Sequence, residues 1–195
     1  MTSREEILGN IRAALKRQPN EPVPSPPPAL LREGSADNLV DQFKTAFEAL
    51  GGNAVLVKTA AEAQIAVEEL LNGRTFMTSV KMRGGEFSRD ACASAEVGIT
   101  SADYALADTG SLVIFTESGE SRLLSLLPPC HIAVIERSKI VPSLDDLLRQ
   151  RPMPGENSSA MVIITGPSRT GDIEMRLVRG VHGPGEVHVV IVDEM

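Results

Sequence analysis

Residues 161–192 read MVIITGPSRTGDIEMRLVRGVHGPGEVHVVIV, and parsing this segment settles the class of the fold. Met161 to Ile164 is an apolar run of strand length. The turn residues Gly166, Pro167 and Ser168 follow, and then a helical candidate from Asp172 to Val178. A second apolar run, Val187 to Val192, closes the segment. Short aliphatic runs without polar alternation describe strands buried on both faces. A helix set between two of them is the connection that a parallel sheet requires.

Upstream the same alternation recurs. Leu39, Phe43, Phe47 and Leu50 share one helical face that stops at Gly51-Gly52. Ala54 to Val57 is a strand candidate, and Thr59 with Glu62 has the spacing of a capping box that opens a helix ending at Gly73. Thr75 to Ser79, Val97 to Thr100, Leu112 to Phe115 and Ile132 to Ile135 read as strands. Ala102 to Ala107 and Arg122 to Leu127 read as short helices, the second halted by Pro128-Pro129, and Ser143 with Asp146 caps a helix over Leu144 to Gln150. The pattern predicts an α/β fold, a mostly parallel sheet with helices on both faces. Such sheets bind ligands outside the carboxyl ends of their strands. Three regions are expected. An amphipathic helix lies in residues 1–18, with Ile7, Leu8, Ile11 and Leu15 at helical intervals. A Pro-rich linker covers 19–34, where PNEPVPSPPP favours extended backbone. The α/β body spans 35–195.

Composition narrows the functions. Aromatics are 3% of the 195 residues, with no Trp and one Tyr, so the core is aliphatic and base stacking on single strands is disfavoured. Acidic residues outnumber basic ones by 26 to 19, the reverse of a duplex-binding surface, so no nucleic acid is expected as partner. Cys92 and Cys130 form neither a metal-ligand spacing nor a disulfide framework, and the three histidines show no ligand spacing either. No metal and no cofactor is therefore expected. With no apolar run of membrane length and no secretory leader, the expected location is the cytoplasm.

Four segments carry candidate chemistry. Gly166 to Glu174 follows a strand and is expected to open a helix, where free backbone N–H groups and the helix dipole favour an anion. There Ser168, Thr170 and Arg169 are candidate ligand-binding residues, with Asp172 beside them. The turn Ala107 to Ser111 offers Thr109 as a further ligand contact and Asp108 as a base. The loop after Leu112 to Phe115 holds Glu117, a possible nucleophile or general base. His182, between glycines in the loop Gly180 to Pro184, is a candidate acid–base group. Asp108, Glu117 and His182 are thus the catalytic candidates. All these residues are expected to converge on one cleft at the carboxyl ends of strands. Each segment also has a plain structural use, as a capped helix start, a tight turn or a polar loop.

The combination of GPSRTGDIE (166–174), GVHGP (180–184) and VHVVIV (187–192) resembles the lactate utilization protein C family, which carries the LUD domain. ADTGS (107–111), LPPCH (127–131) and the N-terminal SREEILGNIRAAL (3–15) extend the resemblance over nearly the whole chain. It implies a fold like that of ribose-phosphate isomerase, glucosamine-phosphate deaminase and CoA transferases. It also implies a component of a bacterial system that oxidises L-lactate to pyruvate beside iron–sulfur partner subunits, as an accessory or small-anion-binding subunit for a carboxylate or phosphate. The competing expectations are a stand-alone isomerase- or transferase-like enzyme on a phosphorylated or carboxylated metabolite, and a ligand-sensing or assembly protein without chemistry.

Overall fold

The computed structural model describes residues 3–16, 22, 25, 36–78, 89–116, 122–151, 158–171 and 178–194. The chain divides into two compact units, Met1–Leu30 and Leu31–Met195. The first contains helix α1, Ser3–Ala14, which leaves Ile7 and Ile11 exposed; Leu15 just beyond it is exposed too. Most of the Pro-rich segment lies outside the described residues.

In the second unit, helix α2 is Ala36–Ala49, strand β1 Asn53–Thr59, helix α3 Ala60–Leu71, β2 Phe76–Thr78, helix α4 Arg89–Ser94 and β3 Val97–Ser101. There follow β4 Tyr104–Leu106, β5 Ser111–Phe115, β6 Cys130–Glu136, β7 Ile140–Val141, helix α5 Leu144–Gln150 and β8 Met161–Ile164. Last come β9 Arg169–Thr170, β10 Val178–Arg179 and β11 Glu186–Glu194.

Five strands form a sheet in the order β1-β11-β6-β3-β2, every neighbouring pair parallel. Side chains alternate across it. Ala133, Ile135, Val187, Val189 and Ile191 face a core with Phe43 and Phe47 of α2, whose rings stack at 5.5 Å between centroids. Ile132, Val190 and Val192 face the opposite core with Ala63 and Leu71 of α3. Helices therefore cover both faces, as the pattern predicted. The α3 start is the expected cap, with Thr59 accepting a hydrogen bond from the Glu62 N–H at 3.2 Å. Among the described residues, no helix is long and apolar enough to cross a membrane.

A second sheet, β7-β4-β5-β8, was not anticipated. Leu112–Phe115 and Met161–Ile164 are strands, but they pair antiparallel with each other rather than joining the parallel sheet. Ala102 to Ala107, expected as a helix, contains β4, antiparallel to β5. The Asp103 carboxylate accepts from the Phe115 N–H at 2.7 Å and the Asp103 N–H donates to the Val113 carbonyl, a pairing that outweighs a helix too short to nucleate. Arg122 to Leu127 forms turns in place of a helix, in which the N–H groups of Leu126 and Leu127 reach back to the Leu123 carbonyl. Leu124 is buried there, and its carbonyl lies so close over Gly98 that a Cβ at Gly98 would meet it at 1.9 Å. The helix expected from Asp172 falls largely outside the described residues, but its last residue, Val178, is a strand residue of β10.

Candidate functional site

Of the segments singled out in the sequence, those around Asp108–Gly110, Gly166–Thr170 and Gly180–Pro184 lie at the amino end of the parallel sheet, not at its carboxyl end. The reason lies in the second sheet. Because β8 runs antiparallel to β5, Ile164 pairs with Leu112. The segment after β8 is thereby delivered beside the turn before β5. Ser111 Oγ lies 2.8 Å from Thr109 Oγ1 and 2.9 Å from Thr165 Oγ1, a chain of three hydroxyls. Gly110, with φ +63°, rests on the last turn of α2, where a Cβ would stand 2.4 Å from the Phe47 nitrogen. Asp108 is half-buried, and its N–H donates to the Pro142 carbonyl at 3.1 Å.

Downstream, Ser168 is clamped by backbone bonds. Its N–H donates to the Pro184 carbonyl at 2.8 Å and its carbonyl accepts from Gly180 at 3.0 Å. The Gly185 N–H donates in turn to the Pro129 carbonyl, one residue before β6, which places the GVHGP loop at the amino ends of β6 and β11. Arg169 does not open a helix. It lies with Thr170 in β9, paired antiparallel with β10, and its Nη2 donates to the Leu50 carbonyl at the end of α2. A guanidinium there satisfies an orphan carbonyl at the negative end of a helix, the opposite of an anion cradle. Arg179, its register partner in β10, also approaches Gly51. His182 is exposed in the loop before β11. Glu117 and Asp172 lie outside the described residues. Thr109, Ser168, Arg169 and Thr170 are thus gathered around the end of α2 with their polar groups largely turned to neighbouring turns and strands.

Two histidines sit deeper. His131 on β6 is fully buried and its Nε2 lies 2.9 Å from Thr100 Oγ1. Burial, with a smaller contribution from His188, pushes its pKa down to about 4, so it is neutral at ordinary pH. Burial also lowers the pKa of His188, with Glu186 opposing.

Space for a ligand is found at the other end. A cavity of about 440 Å³ opens at the carboxyl ends of β3 and β6, within the size range of ligand pockets. Its lining includes Ser101, Asp103, Tyr104, Glu136, Lys139 and Arg151. Arg151 follows α5 and lies over the Phe115 ring at 4.8 Å, a contact that holds the guanidinium in place. Lys139 is exposed and has no ion-pair partner among the described residues. Two cations, two hydroxyls and two carboxylates make this a mixed-charge pocket. None of its residues was singled out in the sequence. The signal that pointed to it was topological, the rule that parallel sheets bind ligands at strand carboxyl ends.

Residues 81–192 match the family model of the LUD domain. Lactate utilization protein C of Halalkalibacterium halodurans is 40% identical over 114 residues, covering 56% of this chain and 50% of that protein. The protein of the same name from Bacillus subtilis is 40% identical over 114 residues, covering 56% and 48%. The chain thus spans about half the length of the curated relatives it matches. A solved structure, a DUF162 family protein from Deinococcus radiodurans, superposes with a TM-score of 0.65 at 20% identity over 82% of this chain and 99% of that one. At that identity the likeness speaks for the fold alone.

Proposed function

Because this chain belongs to the LUD domain family, we propose that it is a component of a bacterial L-lactate utilization system, acting in the cytoplasm as an accessory subunit that binds a small carboxylate. The relatives' names support the system. The observation that supports the role is the cavity at the carboxyl ends of β3 and β6, whose lining includes Lys139 and Arg151 together with Ser101 and Tyr104. A 2-hydroxy acid pairs its carboxylate with the cations and its alcohol with those oxygens, and the corresponding 2-oxo acid keeps the first contact. Iron–sulfur subunits are the partners in this reading. Cys92 and Cys130 are both buried and free of a disulfide, and two thiols fall short of the four that hold an iron–sulfur cluster, in keeping with clusters carried by those partners.

The competing reading is a stand-alone isomerase- or transferase-like enzyme, for which the parallel sheet with a ligand cavity at its carboxyl end also speaks. Thermal unfolding in the presence of L-lactate, pyruvate, phosphosugars and CoA esters separates the two. A ligand that binds only the native state raises Tm by mass action. The expected result is a rise with L-lactate or pyruvate that is lost in Lys139→Ala. A rise confined to phosphosugars or CoA esters favours the enzyme reading, and no rise with any small anion removes the binding role.

A further inference from the structure

At the amino end of the parallel sheet, on the face covered by α3, three side chains of different chemistry converge. Glu186 and His188 stand two residues apart on β11, so both point to one face. The parallel register sets Glu186 directly beside Cys130, the first residue of β6. The thiol of Cys130, a carboxylate oxygen of Glu186 and a ring nitrogen of His188 all lie within 4.8 Å of one another. His188 Nε2 and Glu186 Oε2 are 3.8 Å apart.

We propose that Cys130, Glu186 and His188 form a binding site for a divalent cation of the zinc class, with the remaining coordination position open to solvent. One sulfur, one nitrogen and one oxygen make a borderline-soft donor set, which suits zinc and excludes calcium or magnesium as the favoured ion. Bond lengths of about 2.0–2.3 Å put ligand atoms roughly 3.3–3.7 Å apart around a tetrahedral ion. The three ligand atoms are now within 4.8 Å of one another, and the Glu186 side chain, 61% exposed, is free to adjust. Burial is graded across the group. Cys130 is buried, the His188 side chain is 18% exposed and Glu186 faces solvent, so an ion enters from the carboxylate side.

The nitrogen of His188 that faces Glu186 is Nε2, while Nδ1 on the far side of the ring is buried without a hydrogen-bond partner among the described residues. Arg74 occupies the cation's place in part. Its Nη1 lies 3.2 Å from Glu186 Oε2, while Nη2 and Nε donate to the Leu70 and Leu71 carbonyls at 2.8 and 3.3 Å. Those two bonds hold Arg74 on the end of α3 when the contact to Glu186 is released. The site is separate from the carboxyl-end cavity, and neither depends on the other.

The test is titration of the metal-free full chain with cobalt(II), followed by displacement with zinc(II). A single bound cobalt per chain and a thiolate-to-cobalt charge-transfer band in the near ultraviolet are expected, with zinc abolishing the band. Cys130→Ser should remove the band. Glu186→Gln and His188→Gln should weaken binding at least about tenfold, the lower end of the loss that follows removal of a mere outer-shell partner. Glu186 is exposed, so Glu186→Gln keeps the test valid even where the buried Cys130→Ser chain fails to fold. No charge-transfer band at stoichiometric cobalt, or an affinity unchanged in Glu186→Gln and His188→Gln, overturns the proposal.

Discussion

The two ends of the parallel sheet are furnished differently. At the amino end, the glycine-rich turns are packed against backbone. Gly110 rests on α2, Arg169 caps the same helix, Ser168 is tied to Pro184 and Gly180, and Gly185 is tied to Pro129. The turns that look most like chemistry in the sequence are the ones that close this end. At the carboxyl end, β3 and β6 finish at a cavity of about 440 Å³ edged by charged side chains that the sequence does not flag. Glycine, serine and arginine in a loop serve tight packing as readily as they serve anion binding, and only the partner atoms distinguish the two uses.

The sharpest break of this comparison is Gly110→Ala. A Cβ there meets the backbone of Ala46 and Phe47 at 2.4–2.7 Å, and the residue has φ +63°. Overpacking against backbone and left-handed strain together should cost about 3–5 kcal/mol, read as a large fall in Tm by calorimetry or as failure to fold. A mild effect shows that the turn can lift from α2 and that the amino end is open.

Acid tests the same end more gently. The folded pKa of His131, about 4, lies below the ordinary 6.5. The unfolded chain therefore binds the proton first as pH falls. The His131 contribution to stability is complete above about pH 6.5 and is lost between 6.5 and 4, on the order of 3 kcal/mol. His188, also depressed by burial, adds a slope of the same sign. Denaturant titrations across this window should show the fall in wild type and a flatter profile in His131→Gln. Equal slopes in both would mean that His131 is not held neutral.

A paired measurement then sets one end against the other. With whichever carboxylate the thermal screen returns, Lys139→Ala should weaken binding roughly 10- to 150-fold, the equivalent of about 1.5–3 kcal/mol for a hydrogen bond to a charged group. Its stability should move by less than about 0.5 kcal/mol, as for an exposed surface substitution. Arg169→Ala should do the reverse, with affinity unchanged and stability lower by about 1 kcal/mol, the scale of a cation at a helix carboxyl terminus. If Arg169→Ala abolishes binding in a folded chain, the anion site belongs at the amino end after all. The smallest effect is expected from removing residues 1–34, since we place the body at 35–195 and treat 1–18 and 19–34 as helix and linker. Cooperative unfolding should persist, and its loss would move the boundary.

Legibility followed distance along the chain. Strands β1, β6 and β11 and helices α2, α3 and α5 were readable because their signals are local. Thr59 and Ser143 accept from the N–H groups of residues three positions on, and Phe43 and Phe47 repeat at one helical turn. Tyr104–Leu106 was misread as helix because its strand partner, β5, is reached only after the turn at Asp108 to Gly110. Thr109, Ser168 and Arg169 share a neighbourhood, but at the end of the sheet opposite to the one expected. Lys139 and Arg151 were passed over because nothing nearby in sequence marks them; a strand end and a helix end bring them to the same cavity.

What the sequence alone determined is the α/β class, the main parallel strands, the caps and the family. These rest on periodicity, on turn chemistry and on which residues leave water, all properties of short segments. Only the tertiary structure decided which apolar runs pair with which. Leu112–Phe115 and Met161–Ile164 have the same composition as the strands of the parallel sheet, yet they pair with each other in the opposite sense. Strand pairing is made of hydrogen bonds between distant residues, and an aliphatic run carries no local mark of its partner or its direction. That non-local choice sent the glycine-rich turns to the amino end, left the cavity at the carboxyl end, and set Cys130 beside Glu186 and His188.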